Sequence, residues 1–242
     1  VVATIIRDGG STPRTAGSRM LVHANGGISG TIGGGAIEGE VIQSSIRCFE
    51  THEAQTLLYD LSQRTDMHRL DVICGGRLQI LVEHVPVTPE SLELYTIAKT
   101  ELMSRRPFNW FTSITDNAGT VNVTHAIQKA DGEYAGTPQA QQAFHEAVES
   151  GMRASKGACF SEHQGHYLII EPVQPPQAVF LFGAGHVAKE IAELSIKVGF
   201  RVIVFDDRAE FANADRFPAA DRICVCPNYS DVFNDMAPSP DD

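Results

Sequence analysis

Ala178-Val-Phe-Leu-Phe-Gly183-Ala-Gly185-His-Val-Ala188 reads as an apolar strand that passes through two glycines directly into a helix. In that pattern the first glycine permits the turn and the second lets the backbone approach a pyrophosphate. Ala188 takes the third small position, where helix and strand pack closely. The helix extends to Val198, with Val187, Ile191, Leu194 and Val198 on one face. Arg201 to Phe205 is a second apolar strand, and Arg222 to Cys226 a third. Strands alternating with a helix imply a parallel sheet with right-handed crossovers, so this region is expected to be Rossmann-like. Asp206 closes the second strand 23 residues after Gly183, where an acid commonly binds a ribose hydroxyl. Arg208 could meet a phosphate or simply close the loop, and His186 is either a ligand contact or a solvent-facing helix start. A full unit of this kind needs further strands. The polar stretch from Asn228 to Asp242 does not supply them, so the dinucleotide-binding half is expected to be incomplete in these 242 residues.

Upstream, Pro172-Val-Gln-Pro-Pro176 reads as a linker. The expected organisation is a mixed α/β domain over residues 1–172, a linker over 173–177 and the incomplete Rossmann-like domain over 178–242. In the first domain, Ala3 to Arg7 is a short buried strand. Arg19 to His23 and Ile28 to Ile32 flank a tight turn at Asn25-Gly26-Gly27. A helix is expected from Ala36 to His52, striped by Ile37, Val41, Ile42, Ile46 and Phe49. Ala54 to Leu61 and Leu78 to Val82 read as strands, with a polar loop from Gln63 to Asp71 between them. Thr88 and Pro89 open a helix that runs to Arg105. Phe108 to Ile114 and Thr120 to Ala126 form a hairpin, Gln139 to Glu149 a helix and Tyr167 to Glu171 a strand.

The second strand–glycine–helix unit is Gly30-Thr-Ile-Gly33-Gly34-Gly35-Ala-Ile-Glu38. Three consecutive glycines cost backbone entropy and bring nothing to a core. They fit a sharp turn or a backbone that another molecule approaches. A helix start beside them offers free N–H groups and the positive end of its dipole, which suits an anion. The loop Gly10-Ser11-Thr12-Pro13-Arg14, followed by Gly17-Ser-Arg19, adds hydroxyls and two guanidinium forks. These suit phosphate or carboxylate, although surface arginines on an ordinary turn give the same pattern. Cys74-Gly75-Gly76 places a thiol at a corner before a strand. It is either a soft ligand near a metal or a small buried hydrophobe.

The formal net charge of −11 argues against nucleic acid or an anionic membrane as partner. Five cysteines at irregular spacing form no disulfide framework and suit a reducing cytoplasm. Cys224 and Cys226 alternate along one strand and read as core. No His/Cys set has structural zinc spacing, and no iron–sulfur cysteine pattern occurs.

Taken together and in order, the Gly10–Arg14 loop, Gly30–Gly35 with Glu38, Cys74–Gly76, Gly183–Ala188 and Asp206–Arg208 resemble the XdhC/CoxI family. These are accessory proteins of xanthine dehydrogenase and related molybdenum hydroxylases. The resemblance implies a molybdenum cofactor (molybdopterin) chaperone rather than an enzyme. Such a protein would hold the cofactor while its terminal sulfur is added by a cysteine desulfurase-type donor, and deliver it to an apo molybdenum hydroxylase. It implies a cytoplasmic protein and admits a homodimer. Ser11, Thr12, Arg14, Gly33, Gly34, Gly35, Glu38, Cys74, Gly75 and Gly76 are then the expected cofactor contacts, with Cys74 nearest the metal. Gly183, Gly185, His186, Ala188, Asp206 and Arg208 are the expected contacts for NAD, NADP or another nucleotide. The competing reading is an NAD(P)-dependent oxidoreductase built on those last six residues.

Overall fold

The computed structural model describes residues 1–61, 75–117, 120–153, 157–163 and 166–232. The fold is mixed α/β, and the chain divides into two compact units, Val1–Gln174 and Pro175–Asp242.

The first unit contains two five-stranded antiparallel sheets. In one, β1 (Val2–Gly9), β2 (Arg19–Val22), β3 (Ile28–Gly30), β4 (Gln55–Asp60) and β5 (Arg77–Glu83) lie in the order β3-β2-β1-β5-β4. Strand alternation sends Leu78, Ile80 and Val82 of β5 to one face. There they meet Ile37, Val41 and Cys48 of helix α1 (Gly35–Thr51), together with Ala3, Ile5 and Met20. Each such buried aliphatic side chain contributes about 1.5–3 kcal/mol. On the opposite face, Ile6 and Leu81 pack against Ile114 and Ile169 of the second sheet.

That second sheet has the order β8-β7-β6-β10-β9. Its strands are β6 (Phe108–Asn117), β7 (Thr120–Lys129), β8 (Tyr134–Gly136), β9 (Cys159–His163) and β10 (His166–Val173). Helix α2 (Pro89–Met103) starts at a Thr88–Ser91 capping box and buries Leu94 and Ala98 against Phe108, Trp110 and Ile127. Helix α3 (Pro138–Glu149), capped by Thr137, packs Phe144 on Phe111. Strand β10 runs on through Pro172, which by sequence belongs to the linker motif. Its pairing with β9 stops at Ile170, so the proline's missing N–H falls where that edge has no partner strand.

The second unit has β11 (Ala178–Phe182), α4 (His186–Lys197), β12 (Arg201–Asp206) and β13 (Arg222–Val225), with the strands parallel in the order β11-β12-β13. Its core joins Leu181, Ala184, Ala192, Val202, Val204 and Phe217. The Val187–Ile191–Leu194–Val198 stripe does share one face of α4, but that face is exposed. The helix buries Ala192 and Ser195 instead and packs Ala188 and Ile196 on the core. A helix that leaves a glycine turn close to its sheet takes small residues where it starts, as Ala188 and Ala192 do, and admits Ile196 only towards its far end. Among the described residues no helix is long and apolar enough to cross a membrane.

Candidate functional site

Three sequence motifs meet at one end of the first sheet, where β1 and β4 finish and β5 begins. Gly9 pairs with Arg77, and Arg77 with Asp60. The Gly10–Arg14 loop leaves β1 there and touches both other motifs. On one side it wraps Gly76, where an added Cβ would lie 2.5 Å from the Gly9 and Ser11 carbonyl oxygens and 2.7 Å from the Thr12 methyl. On the other side Pro13 lies on Gly33, whose φ is +128° and whose Cβ would come within 2.6 Å of the proline ring. Gly76 and Gly33 are therefore required by close packing between loops. Gly34 and Gly35 differ. Both have positive φ, but a Cβ at either would meet nothing within 4 Å among the described residues. This is the open part of the turn.

Glu38 organises the turn from within. Its carboxylate accepts hydrogen bonds from the Thr31 hydroxyl at 2.5 Å, the Gly34 N–H at 2.9 Å and the Ile32 N–H at 3.1 Å. The Gly33 N–H donates to the Thr31 hydroxyl. Burial alone would raise the Glu38 carboxyl, but the hydrogen bonds from Thr31, Gly34 and Ile32 outweigh it and hold the group below the usual carboxylate range. The N–H groups of Ile32, Gly33 and Gly34 are thus engaged within the chain. What opens toward a ligand is the first turn of α1, which begins at Gly35 with no side-chain cap.

Glu38→Ala strands three donors and should destabilise this unit by about 2–3 kcal/mol, whereas Glu38→Gln keeps an acceptor and should cost less. Because the folded carboxyl is depressed, its contribution is complete above the ordinary glutamate range near 4.3. It is lost as pH falls through the folded value. Urea midpoints measured at falling pH should therefore drop in the native chain, with a shallower drop in Glu38→Gln. Parallel profiles would contradict this assignment.

Beside the turn, Ser11 and Arg14 are exposed and Thr12 is half-buried. Among the described residues Arg14 pairs with no carboxylate, so its guanidinium is available. A cleft of about 830 Å³ opens at the same end of the sheet, lined in part by Arg7, Gly10, Tyr59, Gly75, Gly76 and Arg77. Cys74 lies outside the described residues. Among those described, no cluster of three or more His, Cys, Asp or Glu side chains could hold a metal.

Arg19, the second guanidinium of the loop region, is committed to structure. It pairs with the buried Glu171 of β10 at 2.8 Å and lies over the Trp110 ring. Burial pushes the Glu171 carboxyl up, and Arg19 only partly offsets this. A second tie crosses the same interlayer. His125 Nε2 lies 2.9 Å from Glu83 of β5, while the Trp110 indole N–H reaches His125 Nδ1 at 3.2 Å. An indole can only donate, so Nδ1 is the acceptor and Nε2 carries the proton that Glu83 receives. With both ring nitrogens engaged, His125 is a latch between the sheets and not a free base. These partners are far apart in sequence. The available signal is an acid ending each of two apolar strand runs, Leu78–Val82 and Leu168–Ile170.

In the second unit, Gly183 has φ +102° and donates its N–H to Phe205. Gly185 caps α4 without a side-chain bond, and its Cβ position is open. His186 is exposed, and Ala188 packs on the core. Asp206 is 1% exposed. Its Oδ2 accepts from the Ala184 N–H at 2.6 Å and Arg208 Nη2 at 3.1 Å, and its Oδ1 from the backbone N–H and Nε of Arg208, each at 2.9 Å. The Arg208 guanidinium, with the Ala184 N–H, holds the Asp206 carboxyl far below the usual range. Arg208 lies 4.0 Å over the Phe211 ring, and Arg216 donates to the Ala184 carbonyl.

Comparison with known proteins returns the same two regions. Residues 1–60 match the XdhC and CoxI family, and residues 179–237 match the XdhC Rossmann domain. Over 229 residues the chain is 24% identical to a Bacillus subtilis (strain 168) protein named as a probable xanthine dehydrogenase subunit, covering 92% of this chain. The chain spans 64% of that relative's length. A stretch of 81 residues, 34% of this chain and 15% of the other, is 35% identical to the uncharacterized protein YqeB of Escherichia coli (strain K12). A crystal structure from Bacillus halodurans, described as a xanthine dehydrogenase, shares the fold at TM-score 0.77 and 23% identity. The match covers 100% of this chain and 68% of that one. One family match thus falls on the N-terminal motifs of the first unit, and the other on the Rossmann-like second unit.

Proposed function

We propose that this chain is an accessory protein of a xanthine dehydrogenase-type molybdenum hydroxylase, and that its first unit holds the molybdenum cofactor for delivery to the apo-enzyme. The observation that carries the reading is the convergence of the Gly10–Arg14 loop, the Gly33–Gly35 turn and Gly75–Gly76 at one end of one sheet. Local packing explains Gly33 and Gly76, and positive φ explains glycine at 34 and 35, but neither calls for the uncapped helix start or the available Arg14 beside it.

The donors present suit the cofactor's phosphate and pterin ends. Arg14 offers a fork, and Gly35 starts a helix with free N–H groups. The cleft, which Gly10, Gly75 and Gly76 line but Arg14 and the Gly33–Gly35 turn do not, is of a size that takes a pterin-sized ligand. When bound, the cofactor would supply a redox-active metal with its sulfur and oxo groups. The chain's own part is to grip the phosphate and exclude solvent. Cys74 remains the candidate for the metal end, and a cysteine desulfurase-type sulfur donor belongs to the same proposal. The chain is proposed to act in the cytoplasm.

The test is anaerobic co-purification with the cofactor, read by molybdenum content and pterin fluorescence. Arg14→Ala should keep the fold, because Arg14 is exposed and pairs with no carboxylate among the described residues. It should lower retention about 10-fold or more, the scale of one charged hydrogen bond. Equal retention in both proteins would remove Arg14 from the site. Sustained reduction of NAD or NADP with xanthine by the chain itself, free of other molybdenum enzymes, would favour the oxidoreductase reading instead.

A further inference from the structure

The end of β12 carries information that the glycine loop does not. A carboxylate offers about four lone-pair directions. On Asp206 all four are taken, by the Ala184 N–H and by the backbone N–H, Nε and Nη2 of Arg208. The side chain is also sealed from solvent. A free ribose diol, which normally donates to an acid at this position, finds no open acceptor on Asp206. It finds Arg208 instead. That guanidinium is half-exposed, is held in place by Asp206 on one edge and the Phe211 face, and keeps its Nη1 donors unspent among the described residues. Close by, Gly183 turns the chain and α4 starts at an open Gly185 without a side-chain cap. A pyrophosphate and a second anion therefore have separate partners within this unit.

We infer that the Pro175–Asp242 unit binds an adenine nucleotide bearing a 2′-phosphate in preference to one with a free 2′,3′-diol. Arg208 meets the 2′-phosphate, and Asp206 positions Arg208 instead of reading the ribose. Asp207, exposed with Oδ1 3.4 Å from Arg208 Nε, opposes the incoming anion and weakens the preference without cancelling it. This inference does not rest on cofactor delivery. It concerns the second unit, whereas the Arg14 experiment reads the first, so either can fail alone.

The experiment is titration calorimetry on the full chain with four ligands: NADP, NAD, 2′-phospho-ADP-ribose and ADP-ribose. The phosphorylated member of each pair should bind about 10- to 100-fold tighter, the range expected for charge-assisted contacts to one phosphate. Arg208→Gln keeps one donor to Asp206 but loses the fork, and should erase the preference. Asp207→Asn touches no core residue and should widen it. If Arg208→Gln melts early, the wild-type ratios and Asp207→Asn still decide. Equal or tighter binding of NAD and ADP-ribose would overturn the inference, as would no binding of any of the four.

Discussion

Gly76→Ala should lower the stability of the Val1–Gln174 unit by about 3 kcal/mol or more, while the neighbouring Gly75→Ala should be near neutral. The two glycines are adjacent and chemically identical, so only their surroundings separate them. A methyl at position 76 would drive into two backbone carbonyl oxygens, those of Gly9 and Ser11, at 2.5 Å and into the Thr12 methyl at 2.7 Å. Carbonyls in a loop that also packs on Gly33 cannot move aside as a side-chain tip would, so the cost sits at the upper end of overpacking. A methyl at position 75 would meet nothing within 4 Å among the described residues. There the main effect is a less disordered unfolded chain, worth a few tenths of a kcal/mol in the other direction. The chain's single tryptophan, Trp110, lies on β6 of this unit, so its fluorescence follows the relevant unfolding during urea titration. Equal midpoints for the two variants would mean that the Gly10–Arg14 loop does not close on Gly76.

That contrast also marks where a linear pattern stops informing. The strand–glycine–helix unit at Ala178–Ala188 is legible because a five-residue apolar run, a glycine turn and a helix opening are all local events. So are the turn at Asn25–Gly27 and the Thr88–Pro89 helix start, which rest on capping and turn chemistry between neighbours. Strands β8 and β9 are not legible. One is three residues long, the other is a largely polar edge strand, and neither alternates clearly. The stripe on α4 is legible as a face but not as an exposed one. Periodicity says which residues share a side of a helix, not which side meets the sheet.

The candidate site divides in the same way. Gly33, Gly34 and Gly35 read alike in the sequence, yet the first is fixed by Pro13 and the other two stand open. Glu38 reads as a ligand contact, whereas its carboxylate is spent on the N–H groups of Ile32 and Gly34 and the Thr31 hydroxyl. Arg14 and Arg19 look equivalent as sequence, but only Arg19 has a buried acid across the interlayer, in a strand that the chain reaches much later. Long-range pairing decides which polar group is structural and which remains available, and a linear pattern does not contain it. The polar loop read from Gln63 to Asp71 lies outside the described residues, as does Cys74, so their roles remain those proposed from the sequence.

Asp206→Ala should weaken the Pro175–Asp242 unit, with a loss of about 1–3 kcal/mol, the range for leaving the buried Ala184 N–H without its acceptor. A small parallel sheet of three strands has little stability to spare. Asp206 ties the glycine loop to the end of β12 through Ala184 and anchors Arg208 in two places. Removing it leaves the buried Ala184 N–H without its acceptor and releases a guanidinium from a bidentate pair. The first loss carries the cost of an unsatisfied buried donor, whereas water takes up the half-exposed guanidinium and softens the second. Asp206→Asn should be nearly as damaging, because its amide NH₂ group would face donors from Ala184 or Arg208 where an oxygen is required. The folded carboxyl is depressed, so the native contribution is complete above the ordinary aspartate range near 3.9. It is lost progressively as pH falls below it, since the unfolded chain takes the proton first. Hydrogen exchange resolves the effect by position. In Asp206→Ala, protection should collapse across the amides of β11 and β12, while Trp110 fluorescence, which reports the first unit, keeps its urea midpoint. Full protection of β12 in the variant would show that the carboxylate is dispensable to the fold. The Asp206–Arg208 pair would then be free to open for a ribose, and the preference for a 2′-phosphate would lose its structural basis.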